Sequence, residues 1–381
     1  MKILFFSDTY LPNRDGVVSA MQGLRREFGR LGHKAFVFAP GKPADADEGA
    51  MLFPSVPFLP YPQYKVAIFP HGALAPARKI RPDVIHSHAL ATMAVSASMC
   101  ARRLGVPSVA TFHTRVTDAT HYVSKNRMIS GALQTAGWAY LRWLFSRFDL
   151  VTVPSAHSKR ELEAHGIECM VVPNGVDTSR FKPQGDKATL GAPKGVPVAL
   201  FVGRIVSEKN IEFLFRIAMH MKARSMRAMF VIAGKGPALG QFRSQAASQG
   251  LADYFHFMGF VEDKDLPGLY RACDCLVQPS KFETQGLSVL EAMACAKPAI
   301  VLKGYAPAEC VENGKNGFAL PEDPEKWAKA ISKCSGPGPY GKAARAAALK
   351  YSSGKAARMM LGAYALAAKI HAGKNKPAKK A

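Results

Sequence analysis

Apolar and polar positions along this chain fall into blocks that switch between two periods. Residues 3–7 form an apolar run of strand type, residues 8–16 a polar loop containing proline, and residues 34–39 a second apolar run. Between them Val17, Ala20, Met21, Leu24, Phe28 and Leu31 recur at helical spacing, with Asp15 placed to cap the helix and Gly32 to end it. This is a strand–helix–strand unit. Residues 83–86 read as a buried strand, 89–104 as a helix stopped by Gly105, and 109–112 as the next strand. A second series starts near Val198, with strands expected at 198–202, 228–233, 254–257, 275–278 and 298–302 and helices in the gaps. Alternation of this kind predicts an α/β fold whose parallel sheets are covered by helices on both faces.

The two series are separated by Pro173-Asn174-Gly175-Val176-Asp177 and a proline- and glycine-rich stretch at 182–197, which fits a domain boundary. A length of 381 residues also suggests about two cores. The expectation is two doubly wound, Rossmann-like domains, 1–175 and 176–345, facing a cleft, followed by a carboxyl-terminal helix and basic tail over 346–381. In sheets of this kind ligands sit beyond the carboxyl ends of the strands.

Composition removes several classes. With 48% hydrophobic and 21% charged residues the chain can fold as a globular protein. Its seven cysteines are scattered and form no C-x-x-C, so reduced intracellular thiols are expected rather than a disulfide framework or a cysteine zinc site. No apolar run reaches spanning length, and the first residues lead into a strand rather than a signal peptide, so a cytoplasmic location is expected. The net charge of +23 points to an anionic partner: an anionic substrate, a polyanion or an anionic membrane surface. Ten basic and no acidic residues fall in 341–381.

The richest chemistry lies in residues 282–294, where Glu283 falls in the loop after an apolar strand and Glu291 is expected two turns into the following helix. Amides at the Gly286-Leu287 helix start are donors at the positive end of a dipole, suited to a diphosphate. Residues 202–210 likewise follow a strand and precede a helix, putting Arg204 and Lys209 at the same end of the second domain. Two cations beside an anion-binding helix start neutralise a leaving diphosphate.

These segments, with Tyr10-Leu11-Pro12, Gly16-Val17-Val18, Thr111-Phe112-His113-Thr114, Pro173-Asn174-Gly175-Val176-Asp177, Gly203-Arg204, Gly234-Lys235-Gly236-Pro237 and Gly259-Phe260-Val261 in order, resemble the retaining glycosyltransferases of family four. That resemblance covers nearly the whole chain and implies the two-domain GT-B fold with a sugar-nucleotide donor. It implies that Arg204 and Lys209 hold the donor diphosphate and that Glu283 meets the transferred sugar's hydroxyls. Backbone at Gln285, Gly286 and Leu287 would bind phosphate or sugar, Glu291 the ribose and Val261 the base, with Gly236 among the donor-binding positions. Gly16 would let the first domain approach the phosphates, with Asp15 pointing away, and His113 would lie near the sugar.

No metal is expected, because Asp45-Ala46-Asp47 lies in a polar loop and Asp263-Lys264-Asp265 opens a helix, leaving Arg204, Lys209 and helix termini to replace a cation. No acid is clearly placed as a nucleophile, so Glu283 is given an orienting role.

Residues 51–81 are aromatic, proline-rich and poorly helical, and 128–148 carry Trp138, Tyr140, Trp143, Phe145 and Phe148 beside Arg142 and Arg147. Rings with cations suit a membrane interface, and equally a packed core with a charged rim. Within the family, Pro54-Ser55-Val56-Pro57-Phe58, Tyr61-Pro62, Phe112-His113-Thr114, Asp118, His121-Tyr122 and the Glu283 motif look most like enzymes that glucosylate diacylglycerol, with sulfolipid and mannosyl enzymes sharing parts of the set. The implied partners are a UDP-sugar, a lipid acceptor and an anionic membrane bound peripherally, with no other cofactor. The alternatives are a sugar-nucleotide epimerase and a protein binding nucleic acid or another polyanion through charge alone; no specific nucleic-acid motif is present.

Overall fold

The computed structural model describes residues 1–13, 15–58, 61–68, 70–114, 127–336 and 338–374. The chain divides into two compact units, Met1–Gly175 with Ser353–Ala381, and Val176–Ser352.

Unit 1 runs β1 (Lys2–Phe6), α1 (Gly16–Arg30), β2 (Lys34–Pro40), β3 (Ala50–Phe53), β4 (Ser55–Phe58), β5 (Tyr61–Ala67), α2 (Leu74–Ile80), β6 (Val84–Ser87), α3 (Thr92–Leu104), β7 (Ser108–Thr111), α4 (Arg127–Phe145), β8 (Leu150–Val153), α5 (Ala156–Ala164) and β9 (Met170–Val171). Seven strands form one parallel sheet in the order β3-β2-β1-β6-β7-β8-β9, and β4 and β5 pair as a separate hairpin. The sheet strands are apolar along their length because both faces are covered, as parallel packing requires.

Unit 2 runs β10 (Val198–Val202), α6 (Ile211–Ala223), β11 (Met229–Ala233), α7 (Leu239–Ser248), β12 (Phe255–Gly259), α8 (Leu266–Ala272), β13 (Cys275–Gln278), α9 (Leu287–Ala294), β14 (Ala299–Leu302), β15 (Gly317–Leu320), α10 (Pro324–Cys334) and α11 (Tyr340–Leu349). Its parallel sheet has the order β12-β11-β10-β13-β14-β15. One core packs Phe201, Phe213, Phe230 and Trp327 on one face, and another packs Leu200, Leu276, Val289 and Met293 on the other.

The last helix, α12 (Ser353–Lys374), belongs to unit 1. It buries Ala356, Ala357, Met360, Ala363, Tyr364 and Ala367, while Met359 and Leu366 face outward. The small alanines let the helix lie close on the sheet. Asp149, before β8, holds its far end through His371 Nδ1 at 3.1 Å and Lys374 Nζ at 3.2 Å.

Several expectations shift. The helix expected from residue 89 starts at Thr92, because the carboxylate of Asp8 takes the amides of Leu90 and Ala91, each at 2.7 Å. Residues 51–81 hold three strands and a seven-residue helix. In 128–148 the rings divide: Trp138, Phe145 and Phe148 are core, whereas Tyr140 and Trp143 are 39% and 44% exposed. The side chains of Phe58, Tyr61, Tyr64 and Phe69, residues 115–126 with Asp118, His121 and Tyr122, and the tail at 375–381 lie outside the described residues.

Candidate active site

In unit 2 the strand order reverses between β10 and β13, the point at which a doubly wound sheet opens a crevice at its carboxyl edge. The loop leaving β10 carries Arg204 and Lys209, and the loop leaving β13 carries Glu283. Lys209 ends a single 3-10 turn at Ser207–Lys209, and Asn210 behind it takes a left-handed conformation with φ 55°. Glu283 stands on the β13–α9 loop. Lys209 Nζ donates to Glu283 Oε1 at 2.5 Å, with both side chains about four-fifths buried. The pairing neutralises two groups that are costly to bury alone.

A second carboxylate holds the same two loops together. Glu322, in the turn between β15 and α10, accepts from Asn210 Nδ2 at 3.4 Å and from Lys281 Nζ at 2.5 Å, and pairs with Arg216. Asn210 Nδ2 also reaches the carbonyl of Pro279 at 3.2 Å. Glu322 is partly desolvated, yet Lys281, Asn210 and Arg216 hold its carboxyl below the ordinary range. Sequence reasoning missed it because Glu322 follows a short strand that begins with Gly317 and is weakly marked by composition.

The helix start at α9 is built around Gly286. Its φ is +91°, and a Cβ there would stand 3.1 Å from Pro307 Cγ, so a residue with a side chain is strained twice over. Among the described residues no side chain caps this helix. Gln285 is buried, and Leu287 opens the first turn. Because the helix begins only at Leu287, Glu291 stands about one turn inside it, not two. Tyr270 Oη donates to Glu291 Oε2 at 2.7 Å. Burial pushes the Glu291 carboxyl up to about 7, against the opposing pull of Tyr270 and Arg180.

Two more loops reach the same sheet edge. Ile205 N–H donates to the Lys235 carbonyl at 3.0 Å, and Ala238 N–H to the Ile205 carbonyl at 3.2 Å. A Cβ at Gly234 would meet the Gly203 carbonyl oxygen at 1.8 Å, and one at Gly236 the Ile205 oxygen at 2.1 Å. The glycines therefore let the β11–α7 loop lie directly on the loop that carries Arg204. Arg204 is half-buried, and Val261, after β12, packs half-buried on the core. Neither acidic pair noted in the sequence stands open: Asp47 is held by Arg25 at 2.7 Å and Asp263 by Arg180 at 2.8 Å. Among the described residues no group of three or more His, Cys, Asp or Glu is arranged to hold a metal ion.

Unit 1 reverses its strand order between β1 and β6. Gly16 is the first residue of α1, but Asp15 does not point away: its Oδ1 accepts from the amides of Val17 and Val18, each at 2.9 Å, as an N-cap does. Asp8 performs the same service for α3, and burial raises its carboxyl against those backbone hydrogen bonds. His113 follows β7 and joins a histidine group that sequence reasoning did not find. Its Nε2 lies 2.8 Å from His88 Nδ1, and His86 contacts Tyr364 Oη at 2.8 Å and Thr111 Oγ1 at 2.7 Å. Burial holds His86 and His88 well below the ordinary histidine range and His113 at about 4, so all three are neutral near pH 7. The His86-Ser87-His88 spacing on one strand end was the available signal.

Two parallel α/β units in one chain, the second carrying a cation–glutamate pair at its strand-order reversal, define the class of GT-B transferases. Residues 14–180 match the family described as Glycosyltransferase Family 4, and residues 184–340 match Glycosyl transferases group 1. The chain is 30% identical over 337 residues to a GDP-mannose-dependent alpha-mannosyltransferase of Mycolicibacterium smegmatis, covering 85% of each. It is 28% identical over 342 residues to an alpha-monoglucosyldiacylglycerol synthase of Acholeplasma laidlawii, covering 85% of this chain and 86% of that one. Sucrose-phosphate synthase of Thermosynechococcus elongatus shares the fold with a TM-score of 0.79 at 18% identity, over 98% of this chain and 99% of that one. The chain belongs to the family-four glycosyltransferases, and it is a hexosyltransferase.

Proposed function

We propose that this enzyme moves a hexose, with retention of configuration, from a UDP-sugar such as UDP-glucose to a membrane lipid such as diacylglycerol. The observation that carries this reading is the Lys209–Glu283 pair at the reversal of the unit 2 sheet, beside the uncapped start of α9. Lys209 and Arg204 neutralise the diphosphate as the bond to the sugar anomeric carbon breaks. Amides at Gly286 and Leu287 add fixed dipoles aimed at the same charge. Glu283, already held by Lys209, accepts from sugar hydroxyls and orients the ring. Gln285 contributes through its backbone, Glu291 accepts from the ribose, Val261 lies along the base and the close packing at Gly236 brings backbone to the donor. His113 is a hydrogen-bonding contact to substrate. For retention, the acceptor hydroxyl attacks from the leaving-group face and passes its proton to the departing phosphate oxygen. These cations take the place of a divalent metal, so turnover should persist in chelator.

The lipid acceptor is supported by the diacylglycerol glucosylation named for the Acholeplasma relative and by the net charge of +23. Tyr140 and Trp143, stacked at 5.7 Å with Arg147 4.1 Å from the Trp143 ring centre, offer outward rings and a cation to an anionic membrane, at which the enzyme is bound peripherally from the cytoplasm. No described helix is long and apolar enough to cross a bilayer. The 30% identity to a GDP-mannose-dependent enzyme favours a second reading, mannosyl transfer from GDP-mannose to the same class of acceptor.

Incubation with lipid extract and a panel of radiolabelled UDP- and GDP-sugars decides between them. A glucolipid labelled from UDP-glucose, with the anomeric configuration retained by NMR, supports the first reading, and label passing only from GDP-mannose supports the second. Free epimerised sugar nucleotide without lipid product overturns both, as does turnover of water-soluble acceptors alone.

A further inference from the structure

Tyr270, on α8, is wholly enclosed, and among the described residues its hydroxyl has one hydrogen-bond partner, Glu291 Oε2 at 2.7 Å. Its ring is met by Phe181 edge-on, with centroids 5.8 Å apart. Phe181 is held in turn by Arg345 on α11, which donates to the carbonyls of Phe181 and Ala294, each at 2.7 Å. Ala294 ends α9, so the helix that carries Glu291 and the ring that braces Tyr270 are tied to the same guanidinium.

Burial holds the Tyr270 hydroxyl well above the ordinary tyrosine range, so the phenol keeps its proton wherever the enzyme works. A buried O–H needs an acceptor, and Oε2 supplies it. Were Glu291 to carry a proton on Oε2, that oxygen would either donate to Tyr270 and strand the phenol O–H, or accept as a hydroxyl, a poorer acceptor than a carboxylate oxygen. The Glu291 proton is thus kept off Oε2. In the ionised carboxylate Oε1 is left as a full acceptor; in the acid the proton falls on Oε1 and turns it into a donor. The other groups round this carboxyl largely cancel. Arg180 and Asp263 act on it with opposite sign and pair with each other at 2.8 Å. Burial pushes the Cys273 and Cys295 thiols up to about 12 and about 11, which keeps them neutral. Arg271, Lys297 and Arg345 donate to backbone carbonyls.

We propose that Tyr270 is a positioning residue for donor binding: it holds Glu291 Oε2 as a permanent acceptor and orients the carboxylate so that Oε1 accepts from a ribose hydroxyl of the nucleotide. This rests on the reading of Glu291 as the ribose contact.

Carbon-13 NMR of the full-length enzyme labelled at glutamate Cδ, with Glu291→Gln to assign the signal, reads the carboxyl without reference to turnover. In the wild type it should titrate near pH 7. Tyr270→Phe keeps the ring against Phe181 and removes only the hydroxyl. Because that hydrogen bond favours the ionised form, the midpoint should rise by about half a pH unit or more. Donor KM at neutral pH should rise about three- to tenfold with kcat little changed, and should return towards the wild-type value in alkali. A midpoint that stays or falls, or a loss carried by kcat with KM unmoved, overturns the proposal. If Tyr270→Phe does not fold, the wild type still decides: its Tyr270 hydroxyl proton should resist exchange with solvent on both sides of pH 7, and free exchange refutes the bond. A midpoint that moves while donor KM stays flat across pH in both enzymes overturns the ribose contact instead, a failure that the NMR signal tells apart from loss of the Tyr270–Glu291 bond.

Discussion

The two units reverse strand order at corresponding places, β1/β6 in one and β10/β13 in the other, and treat the helix starts there in opposite ways. In unit 1 the chain spends its own carboxylates: Asp15 fills the first amides of α1, and Asp8 takes the Leu90 and Ala91 amides just before α3 and the Met93 amide inside its first turn. In unit 2 no side chain among the described residues caps α6 or α9, and the acid on the α9 loop, Glu283, is paired to a lysine. A helix start filled by a resident anion has no use for another, whereas an uncapped one next to cations is a receptor for phosphate. The same topology therefore gives a self-satisfied crevice in one unit and an anion-seeking one in the other. Gly16, which the motif resemblance placed near donor phosphate, stands beside Asp15, so a phosphate there would have to displace that carboxylate.

The contrast is tested most severely by removing the unit 2 charges. Lys209→Ala and Glu283→Ala should each lower kcat about a hundredfold or more with circular dichroism unchanged, since each removes complementarity to charge that develops in the transition state. Near-normal turnover in either breaks the comparison. Glu322→Ala, which releases Asn210, Lys281 and Arg216, should cost about tenfold in kcat by letting the two loops drift. Glu322→Gln should recover part of it.

Acidity supplies a gentler probe. Glu291, with its carboxyl raised to about 7, is mostly neutral at pH 6 and ionised at pH 8. An ionised carboxylate accepts from ribose hydroxyls on both oxygens, so donor KM should fall as pH rises through about 7, and Glu291→Gln should flatten that dependence. Stability moves the other way: because the folded value is raised above the unfolded one, the contribution is fully present below the unfolded carboxylate range and is lost as pH rises through about 7. Thermal melts between pH 5 and 8 check the sign. At the small end, Asp15→Ala should cost about 1 kcal/mol as a lost cap and leave donor KM unchanged. A clear gain in donor affinity would mean that the α1 start does hold phosphate and that the units differ less than their caps suggest.

Much of this architecture was legible because buried parallel strands write themselves as apolar runs. β10 and β13 fall at the expected residues, and the Asp15 and Gly32 ends of α1 follow from local backbone chemistry. Short elements were not readable: β9 has two residues and β15 begins with a glycine, so neither has a period to detect. The candidate site was legible where a charge sits beside a helix start, as at Lys209 and Glu283. It was hidden where the partner is distant in sequence. Glu322 meets Asn210 from 112 residues away, and His86 meets Tyr364 from 278. The rings of 128–148 could not be sorted in advance, because the helix phase that buries Trp138 and exposes Trp143 is set by the sheet against which it lies.

That distant contact between His86 and Tyr364 also orders events during synthesis. The amino-terminal unit takes α12 into its core, so its last buried tyrosine leaves the ribosome after the whole of the intervening unit has emerged. The first half to be made is thus the last to be finished, and a fragment ending at Gly175 would leave the Phe28 and His86 side of its sheet bare to water.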